Sequence, residues 1–206
     1  MSALDSTTVV FVPGLRDHVA DHWQTLLADE LPRTRTVEPL RENKVSLDAR
    51  VAALDKVLAD VDGPVVLVAH SAGVLITAAW AQQHSRPITG ALLATPPDLT
   101  VALPDGYPTR EQLRDNGWYP TQRRPLPFPS ILAASSNDPL ARYDSVVALA
   151  KQWHSRLVDI GPVGHLNPAA GFGPWQPAEA LVAALAEQSS NIPSRISSNI
   201  ESALVS

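Results

Sequence analysis

The 206-residue chain contains no cysteine, and this absence excludes several kinds of chemistry at once. Without a thiolate the protein cannot use a cysteine nucleophile, ligate zinc through sulfur, hold an iron–sulfur cluster or form a disulfide. Any nucleophile must therefore come from a different residue type. We also expect no metal and no other cofactor.

Clustered positive charge and long apolar runs are also missing. The net charge is −5, and the longest basic run is Arg123-Arg124, so we expect no nucleic-acid partner, because such binding depends on clustered Lys and Arg. The longest strongly apolar run, 65–69, is far too short to cross a bilayer. The first residues lack the basic and apolar regions of a signal peptide. We expect a cytoplasmic protein without a membrane partner, and the sequence leaves its oligomeric state open.

What the chain does contain is a regular alternation of short apolar runs and longer amphipathic segments. The strand candidates are 8–12, 34–37, 65–69, 90–94, 130–134 and 156–160. The helix candidates are 21–31, 46–61, 74–83, 146–153 and 177–187. Parallel strands need crossover connections, which helices usually supply. The alternation therefore predicts an α/β fold with a mostly parallel, doubly wound sheet of about five to six strands flanked by helices.

Two stretches interrupt this alternation. Residues 96–129 hold eight of the 19 prolines and follow the end of a strand; the segment forms either a short cap, one wall of a pocket, or a surface excursion. Residues 188–206 are polar and serine-rich, which indicates either a frayed tail or a weak terminal helix. We expect a single domain over 1–187 with a minimal lid, followed by a polar tail over 188–206.

The strongest local motif is Ala69-His70-Ser71-Ala72-Gly73, between an apolar strand and an apolar helix. A nucleophile elbow of the G-x-S-x-G type occurs in this context, where small neighbours allow a sharp turn to present the serine hydroxyl. Ala69 replaces the first glycine and adds only a methyl group. The alternative is that Ser71 merely caps the following helix. We interpret Ser71 as a nucleophile, which then requires a base and an orienting acid.

The base and the acid are sought downstream, because the order in such hydrolases is Ser, then Asp or Glu, then His. His165 lies in a glycine-rich loop directly after a strand and is favoured over His154, at the end of a helical run. Asp138 follows the strand 130–134 and is the preferred acid, with capping of the next helix as its alternative role. Asp144 is a weaker candidate, and Asp159 is expected to be structural.

Backbone amides complete the predicted site. The Ala72 amide at the start of a helix is positioned for an oxyanion beside the serine. The second donor should come from the loop after the first strand, residues 13–17, where the Leu15 amide is the preferred candidate. Trp118 and Tyr119, together with Phe128, are candidates for an apolar substrate pocket, although aromatic side chains more often serve packing.

These motifs together resemble the small serine hydrolases of the α/β-hydrolase superfamily, the family that includes retinoblastoma-binding protein nine. The matching segments are Val12-Pro13-Gly14, His22-Trp23, His70-Ser71-Ala72-Gly73, Ser136-Asn137-Asp138-Pro139 and Gly164-His165-Leu166-Asn167. The resemblance covers roughly residues 8 to 187. It implies a compact, nearly lidless α/β-hydrolase fold with a Ser-Asp-His triad, acting on small esters or aminoacyl substrates. The role of His22-Trp23 stays open, with packing of the first helix as the commoner outcome.

The sequence therefore predicts a serine hydrolase that cleaves a small-molecule ester through an acyl-enzyme intermediate. One alternative is a peptidase or aminopeptidase-like amide hydrolase on the same triad. Another is a non-catalytic interaction protein that kept the fold, since fold alone does not determine function.

Overall fold

The structure, a computed structural model, describes residues 2–16 and 19–188. Of the predicted tail 188–206, only Gln188 is described, as the last residue of a helix; the remainder lies outside the described residues. Six strands form one sheet: β1 (Thr8–Val12), β2 (Thr34–Thr36), β3 (Val65–His70), β4 (Gly90–Ala94), β5 (Ser130–Ala134) and β6 (Arg156–Asp159). All six predicted strands are present within one residue at each end.

Within residues 2–16 and 19–188, seven helices accompany the strands. They are α1 (Ala3–Ser6), α2 (Trp23–Glu30), α3 (Leu47–Ala59), α4 (Ala72–Gln83), α5 (Arg110–Asp115), α6 (Tyr143–Trp153) and α7 (Pro177–Gln188), with a short 3-10 helix at Pro168–Ala170. The five longer helices were predicted, whereas α1, α5 and the 3-10 turn were not. Both short α-helices depend on a capping box, at Ser2 and at Thr109, and are too short to show apolar periodicity. Within the described part of the chain, no helix has the length and apolar character needed to cross a membrane.

The strand order is β2-β1-β3-β4-β5-β6, and every neighbouring pair is parallel. This arrangement confirms the predicted doubly wound sheet. β2 lies on one side of β1 and β3 lies on the other, so the direction in which successive strands are placed in the sheet reverses between β1 and β3. In open α/β sheets ligands bind beyond the carboxyl ends of the strands at such a reversal. The loop after β1 and the turn after β3 meet there.

Helices cover both faces of the sheet. The core on one face is formed with α3, α4 and α6 and contains Leu54, Trp80 and Trp153, all almost fully buried. The core on the other face is formed with α1, α2 and α7 and contains Trp23 and Leu185. Because both faces are covered, β3 reads as an uninterrupted apolar run and all of its residues are buried.

The proline-rich segment 96–129 packs against the first of these cores rather than extending into solvent. Leu113 and Trp118 are each only 2% exposed. The indole N–H of Trp118 donates to the carbonyl oxygen of Val45 at 2.6 Å, and the Tyr119 hydroxyl donates to the carbonyl oxygen of Leu99 at 2.6 Å. These bonds hold the segment over the carboxyl edge of the sheet, where it forms one wall of a cavity.

Candidate active site

Ser71 occupies a sharp turn between β3 and α4. Its backbone has φ 57° and ψ −128°, a region that costs a non-glycine residue about 1–3 kcal/mol and persists only where the surroundings enforce it. The hydroxyl makes no capping bond to α4. Ser71 thus occupies the N-cap position of α4 without using its side chain as a cap, and the turn has the geometry of a nucleophile elbow.

Two glycines allow this turn to sit against the end of β1. A Cβ atom at Gly73 would lie 2.1 Å from the carbonyl oxygen of Val12 and 2.9 Å from that of Pro13. A Cβ atom at Gly14 would lie 3.1 Å from the Cβ of Ser71. Gly73 thus lets the first turn of α4 contact the backbone after β1, and Gly14 brings the following loop beside the serine.

The structure brings Ser71, His165 and Asp138 together in one hydrogen-bonded chain. The distance from Ser71 Oγ to His165 Nε2 is 2.8 Å, and His165 Nδ1 lies 2.9 and 3.0 Å from the two carboxylate oxygens of Asp138. An ionised carboxylate only accepts hydrogen bonds, so Nδ1 carries the proton and donates to Asp138. Nε2 is then an acceptor, and the Ser71 hydroxyl donates to it. This is the tautomer that a general base requires.

The acid and the base are shielded from solvent. The side chains of His165 and Asp138 are 5% and 2% exposed. The backbone N–H of Leu140 also donates to Asp138 Oδ1 at 2.8 Å, which closes a local turn. Helix α6 begins only at Tyr143 and has Arg142 as its N-cap. Asp138 therefore does not cap the helix, and both of its oxygens are engaged within the site.

The other residues considered for these roles lie elsewhere. His154 is the exposed C-cap of α6, in a left-handed conformation. Asp144 lies in the first turn of α6. Asp159 accepts hydrogen bonds from the Tyr143 hydroxyl at 3.2 Å and the Gly161 N–H at 2.8 Å, which is a structural role at the end of β6.

Asn137 joins the loop that carries the acid to the loop that carries the base. Its Oδ1 accepts from the Gly164 N–H at 2.6 Å and from the Ser135 hydroxyl at 3.1 Å. A further bond runs from the Ser136 N–H to the Gly161 carbonyl oxygen at 3.0 Å. These contacts fix the position of His165, whose loop comes from the edge strand β6 and must extend over β5 and β4 to contact the serine.

His70 is a site residue that sequence reasoning did not identify. It is the last residue of β3, and its ring lies 4.9 Å from the His165 ring and 4.5 Å from the His22 ring, centroid to centroid. Because a carbonyl oxygen only accepts, the His70 Nε2–H donates to the backbone carbonyl of His165, at 2.9 Å. Burial, with the nearby His165 and His22 rings, lowers the pKa of His70 well below its usual value, so the ring is neutral. The sequence feature that could have indicated a role for His70 is its position directly before the elbow serine.

The His22-Trp23 pair serves packing and helix capping. His22 precedes α2, and its Nδ1 accepts the Gln24 N–H at 3.2 Å. Trp23 is buried against Trp175, with ring centroids 5.0 Å apart. These contacts fix α2 on the same face of the sheet as α7, close to His70.

A cavity of about 280 Å³ opens beside Ser71. Leu15 and Ala72, whose amides are the predicted oxyanion donors, both line it, as does Trp118. Tyr119 and Phe128 do not line it. The prediction that Tyr119 binds substrate is not supported by its placement, because its hydroxyl is bonded to the Leu99 carbonyl and its ring packs on the core.

A parallel doubly wound sheet with a strained serine at the β3–α4 turn, an acid after β5 and a histidine after β6 defines an α/β hydrolase. Comparison with known protein families shows which family of α/β hydrolases the chain belongs to. The serine hydrolase family profile matches residues 9–184, and the chain belongs to this family of serine hydrolases. A comparison with curated protein sequences returned no match.

Solved structures support the same assignment. A YdeN-like hydrolase from Pectobacterium atrosepticum is 33% identical with a TM-score of 0.76, over 90% of this chain and 93% of the other. The ydeN gene product from B. subtilis is 17% identical with a TM-score of 0.63, over 87% and 98% of the two chains. Est1E from Butyrivibrio proteoclasticus is 15% identical with a TM-score of 0.67, over 90% and 88%. The last two share the fold with this chain, and the resemblance stated from the sequence motifs is confirmed.

Proposed function

We propose that this serine hydrolase cleaves small carboxylic esters through an acyl-enzyme intermediate on Ser71. The observation that carries the proposal is the hydrogen-bonded chain from the Ser71 hydroxyl through His165 to Asp138, located at a cavity. A degenerate hydrolase that kept only the fold would have no need to retain the complete chain of three groups, so its presence argues against a purely structural or binding role.

In the acylation half-reaction, Ser71 Oγ attacks the ester carbonyl carbon while His165 Nε2 takes the hydroxyl proton. The resulting imidazolium is stabilised by the Asp138 carboxylate, which also keeps the ring in position. Collapse of the tetrahedral intermediate breaks the bond to the leaving oxygen, which receives the proton from Nε2. The alcohol departs and the acyl group stays on Ser71.

In the deacylation half-reaction, the same groups act on water. His165 Nε2 removes a proton from a water molecule as its oxygen attacks the acyl carbon. The second tetrahedral intermediate releases the carboxylic acid, and the proton returns from Nε2 to Ser71 Oγ. The free enzyme is regenerated without any group being consumed.

The Leu15 and Ala72 amides are the proposed donors to the oxyanion in both steps. Their residues line the cavity beside Ser71, and Ala72 is the first residue of α4, where N–H groups have no partner within the helix. Each donor of this kind stabilises the transition state by about 3–4 kcal/mol. The helix dipole adds to the effect because α4 begins at the serine.

The proposal is tested with an alkyl fluorophosphonate probe and a nitrophenyl ester. We expect the probe to phosphonylate Ser71, identified by peptide mass mapping, and we expect Ser71→Ala to lose both labelling and ester cleavage. Ser85→Ala is the matched control, since this exposed serine lies beyond the end of α4 that is opposite to Ser71. Cleavage that survives in Ser71→Ala at the wild-type rate would contradict the assignment of the nucleophile.

Ester and amide cleavage are separated by comparing an acyl nitrophenyl ester with the nitroanilide of the same acyl group. We expect the ester to be turned over and the anilide to react far more slowly, after correction for their intrinsic reactivities. Efficient anilide cleavage would instead favour the alternative function, a peptidase or aminopeptidase-like amide hydrolase that uses the same triad. Failure of the purified protein to react with any serine-directed probe would favour a non-catalytic protein.

A further inference from the structure

We infer that the cavity beside Ser71 accepts an uncharged, apolar acyl chain and selects against aminoacyl groups that carry an α-ammonium. This inference rests on the proposed function, because it concerns the acyl half of the ester that Ser71 would attack. It adds a substrate class that the triad geometry alone leaves open, since the triad is the same for an alkanoyl and an aminoacyl ester.

The cavity wall opposite the triad is apolar and comes largely from the proline-rich segment. The segment contributes Pro97, Leu99, Leu103, Tyr107, Leu113 and Trp118, and Leu140 adds to the same lining. The Trp118 indole N–H is already bonded to the Val45 carbonyl, so this side chain offers the cavity only its apolar ring. A hydrocarbon chain is stabilised against such a wall because each buried CH₂ group is removed from water.

The charges around the cavity oppose a cationic substrate. Among the described lining residues, Arg16 is the only one that is always charged, and none is Asp or Glu. Arg16 is exposed at the mouth, with its guanidinium 4.9 Å from the centre of the Tyr107 ring. An ammonium placed in this cavity would lose hydration without gaining a carboxylate from the described lining residues, which is costly.

The carboxylate that the active site itself contains is already engaged in the triad. Asp138 is 2% exposed, and its oxygens accept from His165 Nδ1 and the Leu140 N–H. Using it to bind a substrate ammonium would disrupt the base that the reaction needs. Asp98, the other buried acid of this region, lines a separate cavity and accepts from the N–H and hydroxyl of Thr100.

The decisive experiment compares three methyl esters with the same six-carbon chain: hexanoate, 2-hydroxyhexanoate and norleucine. They differ only in carrying hydrogen, a neutral hydroxyl or an ammonium at the α-carbon. Turnover is followed by acid release at a pH where the amine is protonated, and each rate is divided by that of hydroxide-catalysed hydrolysis of the same ester. We expect corrected kcat/KM for hexanoate to exceed that for norleucine at least about tenfold, with the hydroxy ester between them.

A variant of the cavity wall links this selectivity to the structure. Leu103→Asp places a carboxylate on the half-buried part of the wall and should reduce the preference for hexanoate over norleucine several-fold. Leu26→Asp is the matched control: it makes the same change at a half-buried leucine of α2 that does not line this cavity, and it should leave the preference unchanged.

The outcomes distinguish this inference from the proposed function. If norleucine methyl ester is cleaved as well as hexanoate, or better, the inference is overturned while the esterase activity stands. If the preference is present but Leu103→Asp and Leu26→Asp change it equally, the cavity wall is not its source and the inference also fails. If none of the three esters is cleaved and the fluorophosphonate does not label Ser71, it is the proposed function that fails.

Discussion

At the residue scale, the orientation of the general base depends on more than the acid. The His165 ring is held from one side by Asp138 through Nδ1, and its backbone is held from the other side by the His70 Nε2–H. The base lies in the loop after the edge strand β6, whereas the serine that it contacts lies at the end of β3, three strands away. A backbone contact to the end of β3 therefore sets how close Nε2 comes to Ser71 Oγ.

Replacing His70 should impair catalysis without removing any group that touches the substrate. In His70→Leu the buried carbonyl of His165 loses its donor, and we expect kcat to fall about ten- to a hundredfold, because small misplacements of a catalytic group are costly. KM should change little. In His70→Gln the side-chain amide can donate from nearly the same position, so most of kcat should return.

Steady-state kinetics on one nitrophenyl ester would check this, with circular dichroism to confirm that both variants fold. A merely structural role for His70 would lower the amount of folded protein but not the kcat of the folded fraction. Equal kcat values in His70→Leu and the wild type would show that His70 does not position the base.

At the element scale, the packing of α4 on the end of β1 determines the shape of the elbow. The contact involves the backbone on both sides, since a Cβ at Gly73 would lie 2.1 Å from the Val12 carbonyl oxygen. Backbone atoms at the end of a buried central strand have little room to move. The helix can start directly after Ser71 only because residue 73 lacks a side chain.

Gly73→Ala should therefore destabilise the protein, although alanine favours helices by about 1 kcal/mol over glycine. We expect a net loss of about 3 kcal/mol in the free energy of unfolding, because overpacking here forces α4 and β1 apart. The rate of ester cleavage should fall as well, because displacing α4 also displaces the turn that holds Ser71. Urea unfolding followed by tryptophan fluorescence would measure the loss.

Gly90→Ala is a matched control for this change. A Cβ there would lie 2.8 Å from Leu185 Cδ2 and 3.1 Å from Leu185 Cβ, both in a side chain, and its nearest backbone contact, the Pro129 carbonyl oxygen, would be 3.3 Å away. We expect a loss of about 1 kcal/mol and no effect on activity. If the two alanine variants lost equal stability, the close helix–strand backbone contact would not be the reason for glycine at position 73.

At the scale of the whole molecule, the buried His70 should make stability depend on pH. Burial lowers the pKa of His70 well below the value of 6.5 that it has in an exposed position. Below pH 6.5 the unfolded chain binds a proton at this residue and the folded protein does not. The free energy of unfolding should therefore fall with decreasing pH, by up to about 1.4 kcal/mol per pH unit, until the lower folded-state pKa is reached.

Unfolding by urea between pH 7.5 and pH 5, values chosen to bracket the ordinary histidine pKa, would test this dependence. His70→Gln removes the titrating group, so its stability should decline less steeply over this range. His154→Asn removes an exposed histidine at the end of α6 and should keep the wild-type slope. An identical slope in His70→Gln and the wild type would show that His70 is protonated equally in the folded and unfolded states.

Local patterns in the sequence determined the six strands, the five longer helices and the three triad positions. Apolar runs and helical spacing identify β3 and α3, and Ser46 caps α3 as a side-chain acceptor for the Ala49 N–H. The elbow serine, the acid after β5 and the histidine in the glycine-rich loop are recognisable because turn chemistry and motif order are properties of neighbouring residues. The parallel sheet follows from the alternation of elements.

Only the tertiary structure decided the surroundings of the triad. The bond between His70 and the His165 carbonyl joins residues 95 positions apart, which no local pattern encodes. The path of segment 96–129 has no periodicity, so the sequence could not show that Trp118 lines the cavity while its neighbour Tyr119 packs on the core. Cavity lining and long-range hydrogen bonds depend on how separate elements meet in space, and that is determined by packing rather than by residue order.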